Sequence, residues 1–474
     1  MPDAPPVPQK PRKSFDRSIV EGPLPRAVWR LAWPTMLQNV VGGLQGIVDH
    51  AMVGHYVGHT GNAAIGVSLQ VFILVIVFIA SVFSGMGVLV ARFAGAGDHD
   101  NVNRTVYQAF LAAVFMGVGI LAPIGYFAAP WLLDMINAAP DVQREALPYL
   151  RIMFVFSLGM LMFFMMSGAL RSAGDAQTPL RLGVLMTVLN IVLNVVLIAG
   201  LGPIPAFGTA GAAMGTAIAS GLTGVAFLWL LFSNRLVVHF TRTMSFAPDW
   251  AIIRELFRFG LPTGIQGIAM NLAGVLLLRF VGSLQYSSEA QAAYAVGYTE
   301  LFALITWTSV GLMGAAAAVA GQNLGAGQPE RSARAAAVAA SFGIGVAAVV
   351  GLLFLAAPGL LLGLFSLDEG VPFAIGRQLL AYLAISGFFV TVALAYTGAL
   401  QGTGDTRSPL YISIVSQLVV PIGLCTWISV IRGLEPADIW LAIVLGHATR
   451  ATLSVLRFRQ GKWRDIAIKV PTRA

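Results

Sequence analysis

Charge is what this sequence has least of. Only 11% of its 474 residues are Asp, Glu, Lys or Arg, against roughly 25% in an ordinary soluble domain, while 57% are hydrophobic and mean hydropathy is +0.79. A soluble globular fold is excluded. A bilayer-spanning helix takes about 20 mostly apolar residues, so the length accommodates roughly ten to thirteen spans and no sizeable soluble domain. Runs such as 66 to 91 are also far longer than the roughly ten-residue alternating segments of a β-barrel. Cysteine is nearly absent: Cys425 stands alone, which rules out an intramolecular disulfide and reads as a small core residue. Enzyme signatures are missing too. There is no HExxH, GxSxG or Walker A lysine motif, and no cysteine or histidine cluster for a metal; Asp98, His99 and Asp100 form only a short turn. No cofactor is expected.

Lysine is scarce and confined. All four, Lys10, Lys13, Lys462 and Lys469, lie in the tails. The arginines fall mostly in every second connection, including Arg235 and Arg242 between the sixth and seventh runs, whereas 54 to 62 and 200 to 208 carry no Lys or Arg. By the positive-inside rule both termini are cytoplasmic and the number of spans is even. The formal charge of +8 therefore orients the chain against lipid headgroups, and a nucleic-acid partner is not expected. The first full-length apolar run begins near Trp29 with no earlier one behind the basic tail, so no cleavable signal peptide is expected.

Apolar runs and polar breaks predict an all-α polytopic membrane protein of twelve spans: 28 to 53, 63 to 91, 104 to 129, 146 to 171, 178 to 200, 209 to 234, 252 to 281, 290 to 321, 332 to 357, 374 to 401, 408 to 431 and 437 to 458. The longest polar interruption divides them into a lobe at 28–234, a linker at 235–250 and a lobe at 251–458, flanked by cytoplasmic tails at 1–27 and 459–474. A repeat supports the division. GALRSAGDAQTPL at 168 to 180 and GALQGTGDTRSPL at 398 to 410 agree at 7 of 13 positions, 230 residues apart. The same offset relates the GAG triplets at 95 and 325, and Arg104 to Arg334; an offset of 228 relates Pro34 to Pro262 and Gln38 to Gln266. The chain reads as an internal duplication whose halves, each with an even number of spans, share one orientation about an axis along the membrane normal. In the repeated turns Asp175 and Asp405 suit helix capping, with interlobe gating the alternative.

An ionisable group inside a span is costly and marks function by default. Of 21 acidic residues, two fall within spans. Asp49 lies five residues before Gly54, roughly 8 Å below the outer boundary at 1.5 Å per residue. On the fifth span Asn190 and Asn194 share a face, joined by Thr187, and on the sixth Thr216 reaches a similar depth. A desolvated carboxyl group among neutral hydrogen-bond partners is suited to exchanging protons; the same oxygens suit Na⁺, and a purely structural interhelical cluster is the plain alternative. Glu300 lies near mid-membrane in the eighth span without an evident basic partner, as a second coupling carboxylate, a cation contact or a structural acid. His447 and Arg450 share a face of the last span, where Arg450 is expected to snorkel to the cytoplasmic interface. His50 points about 100° from Asp49 on a helix, so no direct relay is expected between them. The methionine-rich fourth span, with Met160 and Met166, offers an adaptable apolar surface, with Gln38 of the first span a further cavity candidate.

The segments WPTMLQNVVGGLQGIVDHAMVGHYVG from Trp33, LNIVLNVVLIAGLG from Leu189, GTAGAAMGTAIA from Gly208, VAGQNLGAGQPERSAR from Val319 and RFRQGKW from Arg457 resemble the multidrug and toxic compound extrusion (MATE) family, most of all its DinF-like branch, from about Arg26 to Trp463. That resemblance implies a V-shaped pair of six-helix bundles in the bacterial inner membrane and export of organic, often cationic or amphipathic small molecules in exchange for H⁺ or Na⁺, with no obligate protein partner. It implies Asp49 as the coupling carboxylate, Asn190 and Thr216 as neutral ligands, Pro34 as a bending proline and Glu300 as an acidic position common among relatives. Asn194 stands where some relatives have Asp; one negative charge fewer favours protons over Na⁺. The expectation is a secondary active exporter. The rivals are a flippase of lipid-linked oligosaccharide, which calls for arginines in the cavity where few mid-span arginines are found, and a membrane enzyme acting on lipid-linked substrates.

Overall fold

In a computed structural model the residues described are 15–233, 235–240, 247–367 and 369–470; Lys10, Lys13, Arg242 and the end of the C-terminal tail from 471 lie outside them. The polar breaks of the sequence become turns between twelve long helices: α1 Leu24–Tyr56, α2 His59–Ala96, α3 His99–Met135, α4 in two arms Pro140–Val155 and Ser157–Ser172, α5 Gln177–Ala199, α6 Gly208–Phe232, α7 Trp250–Gly282, α8 Ser287–Gly325, α9 Pro329–Ala356, α10 Gly370–Gly402, α11 Arg407–Ile431 and α12 Pro436–Arg459. No strand occurs among the described residues. Ten of these helices are long and apolar enough to cross a membrane, and α4, bent by 52°, is an eleventh if its arms form one span. The bend falls at Phe156, just before Ser157 and Gly159, small residues of the kind that permit sharp kinks. The remaining helix, α1, has 33 residues, roughly 50 Å. Gln38, Asn39, Gln45, Asp49 and His50 dilute its apolar content, and these are the residues that give it chemistry.

Local chemistry explains the helix ends. Asp98 accepts from the Asn101 amide at the start of α3 (3.0 Å), and Asp249 from Ala251 and Ile252 at the start of α7 (3.1 and 3.4 Å). The repeated GD turns behave as expected: Asp175 accepts from the Thr178 amide and hydroxyl (3.0 and 2.6 Å), Asp405 from those of Ser408 (3.1 and 2.8 Å). Gly174 and Gly404 precede them with φ of +101° and +99°, a conformation that strains any residue with a β-carbon. Asp405 additionally holds Arg457 (2.8 Å), tying the end of α12 to the α10–α11 turn. Three π-helical turns, Phe115–Leu121, Ala295–Leu301 and Ile414–Val419, interrupt α3, α8 and α11; hydropathy carries no signal for them.

Both ends of the described chain lie on one face of the bundle. Ile19 and Gly22 offer carbonyls to Arg331 at the start of α9, and the Ile466 carbonyl accepts from Arg92 near the end of α2 (3.1 Å). The interlobe segment is less of an open linker than its polarity suggests: Val238 is buried, Phe240 packs against Tyr107 and Phe110 of α3, and residues 241–246 lie outside those described. The first and second halves meet along two related seams. In one, α2 and α7 come so close that a β-carbon on Gly85 would overlap the Leu256 carbonyl, and one on Gly260 would crowd that of Ser81. In the other, Gly311 and Gly43 let α8 and α1 pack against Met36 and Trp307 respectively, and Asn39 donates to the Trp307 carbonyl (3.1 Å).

Candidate functional site

The four polar residues expected to meet in the first lobe do meet. Asn194 Nδ2 donates to Asp49 Oδ1 at 2.7 Å. Thr216 Oγ1 stands 3.0 Å from the Asn190 amide. In one amide orientation Asn190 accepts from Asn194 (3.3 Å); in the other it donates to Asp49 Oδ1 (3.0 Å) and accepts from Thr216. Both settings of the Asn190 amide close a connected network, and the Asn194 amide keeps its NH₂ group on Asp49 in each. Asn190 and Asn194 are 0% exposed, whereas Asp49 and Thr216 are half-buried, so the two asparagines form the enclosed centre of the network.

Close helix packing builds this arrangement. A β-carbon on Gly215 of α6 would overlap Asn194 Oδ1, and one on Gly211 the Leu197 carbonyl; glycine at both positions lets α6 press against α5 and hold the asparagines towards α1. Two further members escaped the sequence reading. Gln45, one turn before Asp49 on α1, accepts from Thr187 Oγ1 (2.9 Å), which its i, i+4 spacing would have revealed. Tyr149 of α4 is buried close enough to interact electrostatically with Asp49, a proximity that only the packed bundle creates. His50 faces away, towards Asn62 of α2, consistent with the absence of a direct relay.

Other candidates separate from this cluster. Pro34 is buried within α1, which remains one helix through it. Gln38 packs against Gly183 of α5. Met166 is 0% exposed and fills the core rather than walling an open cavity, while Met160 is partly buried at the edge of that core. Glu300 is half-buried in the π-helical turn of α8 and makes no hydrogen bond or ion pair among the described residues. Arg450 corrects its expectation: it is 2% exposed. Its helix face also carries His447, hydrogen-bonded to Ser386 and stacked on Phe302, so α8 and α10 enclose the guanidinium before it can reach the interface. Arg171, the last residue of the span expected at 146 to 171, lies at a cavity between the halves.

A carboxyl group held among amides in a bundle of membrane-crossing helices, with two repeated halves packed along paired seams, defines a membrane transporter. The MatE family model matches residues 34–196 and again 262–427, and the chain belongs to this family. Its members are transporters, so the rival reading as a membrane enzyme falls. A probable multidrug resistance protein NorM of Thermotoga maritima is 27% identical over 443 residues, 93% of each chain. Among solved structures, a MOP superfamily transporter from Pyrococcus furiosus superposes with a TM-score of 0.87 at 23% identity, covering 94% of this chain and 98% of its own. An outward-facing multidrug resistance MATE family transporter gives 0.86 at 23% identity, with the same coverage.

Proposed function

We propose that this protein is a multidrug exporter of the bacterial inner membrane, with both termini cytoplasmic, driven by protons that enter through Asp49. The observation that carries the reading is the 2.7 Å hydrogen bond from Asn194 to Asp49 in a half-buried network. Protonation of Asp49 removes the charge that this donor serves, so α1, α5 and α6 repack, and Pro34, which leaves a gap in the α1 hydrogen-bond ladder, gives α1 a place to bend. Release of substrate outward accompanies proton uptake; the proton leaves to the cytoplasm after the carrier resets. Linkage requires substrate and proton to weaken each other's binding.

The donor pattern supports H⁺ over Na⁺. Asn194 turns its NH₂ group to Asp49 and its oxygen towards Gly215, whereas a hard cation calls for oxygens converging on one point. Purified protein in proteoliposomes should export an organic dye under an imposed pH gradient and not under a Na⁺ gradient alone. Asp49→Asn should abolish the pH-driven component while the protein remains folded. Undiminished pH-driven efflux in this variant would overturn the assignment.

A further inference from the structure

A cavity of about 230 Å³ lies between the two halves of the chain, walled by α2 and α4 from the first and by α8 and α10 from the second. Five pairs of its lining residues are related by the 230-residue repeat, and polarity breaks that relation in three of them. Ser84, Arg171 and Ser172 on the first half correspond to Gly314, Gln401 and Gly402 on the second. Among the described lining residues, every hydroxyl and the only charge come from one side. Gln401 is already engaged, donating to Gln266 (3.1 Å), which donates in turn to Ser413 (2.8 Å).

Arg171 is unpaired. It forms no hydrogen bond or ion pair among the described residues, and no carboxylate lines the cavity. Its guanidinium lies across Gly314, where a β-carbon would stand 3.1 Å from Nε, so the missing side chain on α8 makes room for it. Phe83 and Phe164 supply apolar wall beside it. A guanidinium facing an apolar, carboxylate-free space, with two hydroxyl groups nearby, matches a planar oxyanion attached to a ring system. The volume falls below the roughly 300–1,000 Å³ of drug-sized pockets, so it suits one aromatic head rather than a whole large molecule.

We infer that this cavity is a substrate subsite for aromatic carboxylates, with Arg171 binding the carboxylate. The inference rests on the efflux reading only for its physiological meaning; binding itself is tested without transport. Protein in lipid nanodiscs is titrated calorimetrically, against empty nanodiscs, with naphthalene-2-carboxylate, its methyl ester and naphthalen-2-ylmethylammonium. The carboxylate should bind at least tenfold more tightly than the ester. Arg171→Gln, which restores the identity of the repeated pair, should remove that preference and leave ester and ammonium binding unchanged, while Arg171→Lys should retain part of it. Equal binding of carboxylate and ester by the unaltered protein, or equal weakening of all three ligands in Arg171→Gln, overturns the inference. Retained carboxylate preference in a protein that exports nothing from proteoliposomes would instead defeat the efflux reading and leave the subsite standing.

Discussion

Gly95 of α2 lies so close to the carbonyl of Gln322 on α8 that a β-carbon there would overlap it, and Gly325 of α8 bears the same relation to the carbonyl of Arg92 on α2. The two contacts are one contact seen twice, since 95 and 325, like 92 and 322, are 230 residues apart. The repeated GAG triplets thus mark where α2 and α8 cross between the halves, beside the Gln322 hydrogen bond to the Ser172 carbonyl (2.7 Å). Gly95→Ala or Gly325→Ala should force the helices apart. Spin labels at Asp100→Cys and Glu330→Cys, both exposed positions, in a Cys425→Ala background, should report longer separations and efflux should fall. An unchanged distance distribution would show that these glycines do not set the separation of α2 and α8.

Gly215 controls the position of Asn194 by having no side chain. Gly215→Ala should displace the asparagine from Asp49 and lower the initial rate of pH-driven efflux at least tenfold. Gly221→Ala on the same helix, where an added β-carbon would meet nothing within 4 Å, should transport as the unaltered protein does.

Asn194 supplies a neutral donor where a second carboxylate would supply charge. Asn194→Asp should create an oxygen-rich dianionic site, so that Na⁺ raises the melting temperature of the variant and not of the parent protein. Binding of a ligand at ten times its Kd adds about 1.4 kcal/mol to stability. The Asp49→Asn, Asn194→Asp double variant should lose the response, which a thermal melt in NaCl against choline chloride measures.

Asp249 lies at the start of α7, outside the membrane-spanning segments. Desolvation alone would raise its pKa, but the Arg104 hydrogen bond, the amides of Ile252 and Ala251 and the Arg104 charge outweigh it and hold the carboxyl below its ordinary value. A depressed carboxylate stabilises the fold above the unfolded-state pKa, about 3.9, and that contribution is lost as pH falls through the lower folded-state value. The Arg104–Asp249 pair (2.6 Å) is partly exposed, so the effect is modest. Asp249→Asn should lower the melting temperature at pH 7, with the difference from the parent protein shrinking below about pH 4.

Much of this was legible in the chain itself, because a bilayer admits few solutions. Long apolar runs must become helices, and polar breaks must become turns. Counting residues from those breaks put Asp49, Asn194 and Thr216 at one depth, and the i, i+4 spacing put Asn190 and Asn194 on one face. Helix periodicity could not say which neighbour each face meets. Arg450 shows the limit: its distance from the interface suggested snorkelling, yet the face it shares with His447 is turned onto α8 and α10. Tyr149 joins Asp49 only through the packing of α4.

What the sequence determined alone is the number of long helices, the duplication and the depth of the first-lobe polar cluster, since these follow from hydropathy, identity between segments and a fixed rise per residue. What tertiary structure decided is azimuth and apposition. Helix packing made glycines 95, 215, 314 and 325 into points of close approach, closed the amide network on Asp49, and brought Arg171 to a cavity opposite Gly314 and Gln401. Those contacts join residues far apart in the chain, and no local pattern encodes them.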